Sequence, residues 1–122
     1  MSKTILVVED SSSMRQVVSI ALTRAGYEVL EAGDGVEGLT RLDGRKINLI
    51  ISDVNMPRMD GINFVTQVKQ HPRYKFTPVI MLTTEDASSK MQQGKVAGAK
   101  AWITKPFSPP VLLDAVAKLV LP

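Results

Sequence analysis

Short, continuously apolar runs alternate along the whole chain with segments whose apolar residues recur every three or four positions. Thr4–Val8 is the first run, β-branched and without polar interruption, as expected for a strand buried on both faces. Ser11, Ser12 and Ser13 then offer N-cap oxygens, with Ser13 and Gln16 at capping-box spacing. Met14, Val17, Val18, Ala21, Leu22 and Ala25 follow at helical intervals, and Gly26 closes the element as a C-cap does. Tyr27–Glu31 alternates, which suits a strand nearer the sheet edge. Asp34-Gly35 opens a weaker helix with Val36, Leu39 and Leu42 on one side, ending near Asp43-Gly44.

The second half repeats the pattern. Asn48–Ser52 reads as the third strand, and a helix with Phe64, Val65 and Val68 inward follows the segment from Asn55 to Gly61. Pro72 and Pro78 bracket a loop before the fourth strand, Val79–Leu82. Residues 87–96 form the poorest helical pattern, loosened by Gly94 and Gly98. Ala101–Thr104 is the fifth strand. Ser108, Pro109 and Pro110 start a last helix, because proline suits the first helical turn. Its stripe is Val111, Leu112, Ala115, Val116, Leu119 and Val120. Five strand-then-helix repeats with short connections predict an α/β fold, a three-layer α/β/α sandwich around a parallel sheet. No linker or repeat interrupts residues 1–122, so a single domain with no output domain is expected.

Four of the five apolar runs stop at residues suited to phosphate or metal chemistry. Val8 leads into Glu9-Asp10, Ser52 into Asp53, Leu82 into Thr83, and Thr104 into Lys105-Pro106. Ligands of open parallel sheets bind outside the carboxyl ends of the strands. If the runs are neighbours, three carboxylates, a hydroxyl and an ammonium converge on one spot. Three crowded carboxylates repel one another and raise their own pKa values, a penalty that a divalent cation removes. All-oxygen ligation points to Mg²⁺, with Mn²⁺ as a substitute, and such a site keeps open positions for a phosphate oxygen. Lys105 and Thr83 add what a phosphoryl group needs. Asp53, on the middle strand, is the candidate nucleophile, since aspartate forms aspartyl-phosphates.

Composition narrows the choice. Without cysteine there is neither a disulfide framework nor thiolate metal chemistry. The net charge of +3 and pI near 9.3 raise a nucleic-acid partner as a question. The 15 basic residues are scattered and stacking aromatics are few, so a mildly basic surface without functional consequence is expected and no nucleic acid; an acidic protein partner would also be served by it. The apolar runs are too short for a signal peptide or membrane insertion, so a cytoplasmic protein is expected. Gly94-Lys95 lacks the flanking residues of a phosphate loop. His71 is expected to be solvated, and Met56 and Met59 to pack.

The segments Val7–Asp10, Ile51–Gly61, Met81–Thr83 and Lys105–Phe107 together resemble the receiver domain of two-component response regulators. Among these, the single-domain CheY-like chemotaxis regulators are the nearest in pattern, and the resemblance runs from Ile5 to the last helix. It implies the flavodoxin-like strand order 2-1-3-4-5. It implies that Asp53 accepts a phosphoryl group from a sensor histidine kinase, and that Glu9, Asp10, Asp53 and the main-chain carbonyl of Asn55 hold Mg²⁺. Lys105, across a cis bond to Pro106, would pair with the phosphoryl group, and Thr83 would move to bond it while Trp102 turns inward. Asn55 and Glu85 would tune dephosphorylation. The face built by the fourth helix, fifth strand and fifth helix would then change its affinity for a downstream protein such as the flagellar motor switch. A phosphatase is a further possible partner, and the state implied is a monomer or a weak phosphorylation-dependent dimer.

Such a protein is a switch rather than an enzyme, with only self-phosphorylation and self-dephosphorylation of its own. The resemblance has departures: Trp102 stands where the family has Tyr or Phe, Glu9 replaces an Asp, and Ala87 and Ser88 are uncharged. Alternatives are a phosphorelay intermediate or non-chemotaxis regulator, a Mg²⁺-dependent haloacid-dehalogenase-like phosphatase, and a scaffold with a vestigial site. The phosphatase needs a second acid two residues after the nucleophile, where this chain has Asn55. The intact acids, Thr83 and Lys105 speak against the vestigial scaffold.

Overall fold

A computed structural model describes residues 2–83 and 98–121; the helix expected at 87–96 and Glu85 lie outside the described residues. The strands are β1 (Thr4–Val8), β2 (Glu28–Ala32), β3 (Leu49–Asp53), β4 (Val79–Thr83) and β5 (Ala101–Thr104). They form one parallel sheet in the order β2-β1-β3-β4-β5. Helices α1 (Ser12–Arg24), α2 (Gly35–Thr40) and α3 (Gly61–Gln70), with a C-terminal helix (Pro109–Leu119), cover it. The order 2-1-3-4-5 and the three layers are those expected.

Successive side chains of a strand point to opposite faces, and the core divides accordingly. Leu6, Val8, Ile50 and Met81 face α3, where Phe64, Val65 and Val68 pack against them. Ile5, Val7, Ile51, Ile80 and Leu82 face the other way, against Val18 and Leu22 of α1 and Leu112 and Val116 of the C-terminal helix. Strands β3 and β4 are buried at every position, which is why their sequences show no alternation. Strand β2 lies at the sheet edge, as expected, but its burial does not alternate: Glu28 and Glu31 are exposed, while Val29 and Leu30 are each partly buried, on opposite faces.

Several local expectations are corrected. Ser11, not Ser13, caps α1, accepting from the Met14 amide at 3.3 Å. Val17 is 53% exposed while Ser19 is buried. A helix turns about 100° per residue, and with Val18 and Leu22 on the sheet the position before Val18 swings outward. In α2, Val36 lies outward and the glycines lie inward. A β-carbon at Gly38 would meet the Phe64 ring at 2.8 Å, so only glycine lets this short helix sit against α3. That helix ends at Thr40, before Asp43-Gly44. Val111 is exposed because Leu112 and Val116 take the sheet-facing stripe of the C-terminal helix. Strands β2 and β3 each end one residue later than expected, at Ala32 and Asp53.

Candidate functional site

The register carries the strand-end residues into one place. Val8 lies opposite Ser52, so Glu9 and Asp53 leave β1 and β3 side by side. Asp53 lies opposite Leu82, placing Thr83 one step beyond, and Thr83 lies opposite Thr104, placing Lys105 beyond that. Neighbouring strands are about 4.8 Å apart, so the Lys105 side chain reaches over the end of β4 to the acids. Its Nζ donates to both Glu9 carboxylate oxygens, at 3.0 and 3.2 Å, and lies 3.3 Å from Asp53 Oδ2. The Lys105-Pro106 peptide bond is cis, and the Lys105 amide donates to the Thr83 carbonyl at 2.6 Å.

Three carboxylates share the floor. One oxygen from each of Glu9, Asp10 and Asp53 lies within 4.8 Å of the others, with Glu9 and Asp53 buried and Asp10 exposed. Asp53 Oδ1 accepts from the Val54 amide at 2.9 Å, which fixes its rotamer and leaves Oδ2 toward Lys105. The Glu9 carboxyl is pushed up to about 7, mainly by burial and also by Asp53, with Lys105 opposing. Burial, more than the mutual repulsion expected from the sequence, sets this value. On Lys105 burial pulls downward, but the hydrogen bond to Glu9 and the charges of Asp53 and Glu9 outweigh it, so its pKa is raised. A buried carboxyl whose ionised form is disfavoured is what a cation would relieve. The all-oxygen donor set fits Mg²⁺ or Mn²⁺.

The other expected residues take separate places. Thr83 is fully buried at the end of β4. Asn55 is exposed in the loop after β3. Trp102 is half-buried on β5, packed with the α3-side cluster, and its buried indole Nε1 has no hydrogen-bond partner among the described residues. His71 follows α3, its Nδ1 accepting from the Arg73 amide and its ring edge-on to Tyr74.

Two contributors were not singled out as site residues from the sequence. Arg15, in the first turns of α1, donates to the Glu9 carbonyl at 2.7 Å and pairs with Glu31 of β2 at 3.2 Å. Nothing in helix periodicity marks it. Gly61, part of the Asp60-Gly61 start of α3, packs so closely that a β-carbon would overlap the Asp53 carbonyl oxygen. Its amide donates to the Val54 carbonyl at 2.8 Å, closing the loop that leaves Asp53. The signal for Gly61 was the Asp-Gly pair itself.

A buried aspartate at the end of a central parallel strand, flanked by two further acids and faced by a lysine, is the layout of a phosphoacceptor domain. The response regulator receiver domain family matches residues 5–117, and the chain belongs to it. It is a CheY-like receiver domain, a kind of signalling switch rather than a conventional enzyme. It is 44% identical to chemotaxis protein CheY1 of Helicobacter pylori over 90% of each chain. Chemotaxis protein CheY4 of Vibrio cholerae superposes with a TM-score of 0.94 at 47% identity, covering 98% of this chain and 100% of that one. At the level of fold, a receiver domain of a Pseudomonas aeruginosa sensor histidine kinase matches with a TM-score of 0.90 at 23% identity, each chain covered to 98%. That domain holds a magnesium ion coordinated in its active-site cleft. Among the described residues, no helix is long and apolar enough to cross a membrane.

Proposed function

We propose that this protein is a phosphorylation-driven chemotaxis regulator in which Asp53 accepts a phosphoryl group from the phosphohistidine of a sensor histidine kinase. The observation that carries the reading is the convergence of Glu9, Asp10, Asp53 and Lys105 at the ends of β1, β3 and β5. A carboxylate oxygen of Asp53 attacks phosphorus in line, forming a P–O bond. The P–N bond to imidazole breaks, and its electron pair returns to the ring nitrogen.

Glu9, Asp10, Asp53 and the main-chain carbonyl of Asn55 would hold Mg²⁺. Such an ion would supply positive charge to offset that of the phosphoryl oxygens. Lys105 donates to another phosphoryl oxygen, because its ammonium already lies within reach of Asp53 Oδ2. Thr83 closes on the group from β4, and Trp102 follows by packing further inward. The indole Nε1, without a partner among the described residues, supports an aromatic ring with more than one resting place. Asn55 and Glu85 tune the loss of the phosphoryl group to water.

Two states of the face around β5 and the C-terminal helix then differ in affinity for a downstream protein. The phosphoryl group biases them only by its differential contacts, here those of Thr83 and Lys105. Likeness to two chemotaxis proteins over nearly their whole lengths supports a cytoplasmic target in flagellar control. A monomer, or a weak dimer formed on phosphorylation, is the state proposed.

The test uses Trp102, the only tryptophan. Mg²⁺ is titrated first, then acetyl phosphate is added, with fluorescence and intact mass followed in parallel with Asp53→Asn. A saturable Mg²⁺ response and the mass gain of one phosphoryl group, the gain absent in the variant, bear the reading out. No Mg²⁺ response and no added mass overturn it.

A further inference from the structure

At the opposite end of the sheet, a groove of about 300 Å³ opens between the segment before β3 and the segment before β4. Lys46, Ile47, Arg73, Tyr74, Phe76 and Leu121 are among its lining residues. β3 rises about 3.3 Å per residue over its five residues, so the groove lies roughly 15 Å from Asp53.

Its walls are built and held. Tyr74 Oη donates to the Arg45 carbonyl at 2.7 Å and accepts from the Gly44 amide at 2.9 Å. Arg73 donates to the Gly44 carbonyl at 2.9 Å, and Leu121 is fixed by two backbone-linked contacts to Asn48, both 3.1 Å. The rim is different. Phe76 is 80% exposed, the most exposed of the large hydrophobic residues on the described surface, and Lys75 lies over its ring at 5.2 Å. Lys46 and Lys75 have no ion pair among the described residues, whereas Arg45 is held by Asp43 at 2.7 Å.

We infer that this groove docks an acidic segment of a partner protein, one apolar side chain seated against Phe76 and carboxylates paired with Lys46, Lys75 and Arg73. Charge complementarity selects the occupant. Arg45 is already neutralised by Asp43 and Arg73 donates to the Gly44 carbonyl, so a compact phosphate finds no pair of free guanidinium forks here. A single exposed aromatic gives no run of stacking platforms for a nucleic-acid strand. Fixed walls spare the ordering cost that weakens docking to mobile loops. Because the site lies far from Asp53, a partner held here leaves the phosphoacceptor end open and stays bound in either phosphorylation state. The groove is thus a constitutive anchor, separate from the switching face.

The test titrates isotope-labelled protein with a synthetic peptide of glutamates around one leucine, following backbone amides at low and high salt. A lysine-for-glutamate peptide and an oligothymidylate serve as controls. Expected are saturable shifts at residues 44–47 and 73–77, weakened by salt and unchanged in Asp53→Asn. The double variant Lys46→Glu/Lys75→Glu should lose binding, and Phe76→Ser should weaken it about tenfold. These side chains are exposed and hold no backbone group, so both variants are expected to fold with wild-type amide spectra elsewhere. The inference is overturned by the absence of saturable shifts there, by shifts that survive charge reversal, or by tighter binding of the oligothymidylate.

Discussion

Lys105 Nζ lies closer to both carboxylate oxygens of Glu9, at 3.0 and 3.2 Å, than to Asp53 Oδ2, at 3.3 Å. The ammonium therefore rests on the deepest acid of the cluster and only leans on the proposed phosphoacceptor. It occupies the charge environment that a divalent ion would share, so lysine and metal repel each other across the same carboxylates.

Removing that repulsion should favour the metal. Lys105→Met is expected to tighten Mg²⁺ binding several-fold. Two charges a few ångströms apart at a partly exposed site are worth on the order of 1 kcal/mol after screening, and 1.4 kcal/mol is about tenfold. The same variant should still gain a phosphoryl group slowly from acetyl phosphate, yet give a reduced Trp102 response. Calorimetric Mg²⁺ titration checks the first expectation, and fluorescence with intact mass the second.

Glu9 predicts a pH dependence whose sign depends on metal. Its carboxyl is near 7 in the folded, metal-free protein against an ordinary 4.5. The folded state thus holds a proton that the unfolded chain has released, and this favours folding at low pH. The contribution is complete below the ordinary value and is lost as pH rises through about 7. Metal-free protein should lose stability relative to Glu9→Gln between about pH 5 and pH 8, by on the order of 2 kcal/mol. Added Mg²⁺ needs ionised Glu9, so its stabilisation of the natural protein should grow over the same interval. Urea midpoints at several pH values, with EDTA or Mg²⁺, measure both slopes.

Gly61→Ala places a β-carbon into the Asp53 carbonyl oxygen and within 2.9 Å of Met81 Cε. The methionine tip can give way, but the backbone of β3 cannot without moving the acidic cluster. Overpacking of this kind costs about 1 to 3 kcal/mol, and the upper end is expected here. Denaturant unfolding should show the loss, accompanied by weaker Mg²⁺ binding because Asp53 shifts with its own carbonyl.

Arg15→Gln should weaken Mg²⁺ binding by about threefold, with a stability loss of about 1 kcal/mol, as for a partly buried charge-assisted hydrogen bond. The guanidinium ties the Glu9 carbonyl and Glu31 into one unit. Arg15→Lys retains the charge but not the fork and is expected to restore only part of both. Equal effects of the two variants would assign the role to geometry alone.

The sequence by itself determined the elements and the chemistry at their ends. Continuous apolar runs mark strands buried on both faces, and Ser, Asp, Gly and Pro punctuate them, because these preferences act within a few residues. Glu9, Asp10, Asp53, Thr83 and Lys105 were legible for that reason, each directly following or ending a run. The strand order came from family resemblance, since periodicity does not say that β1 lies between β2 and β3. Only the tertiary structure decided the register that sets Glu9 beside Asp53, the reach of Lys105 over β4, and the Arg15 clamp on Glu9. It also decided that Val17, Val36 and Val111 face outward, and that Phe76 and three cations frame one groove. Those are contacts between residues far apart in the chain. Their energies depend on which faces meet, whereas an apolar pattern states only that a residue prefers to be buried somewhere.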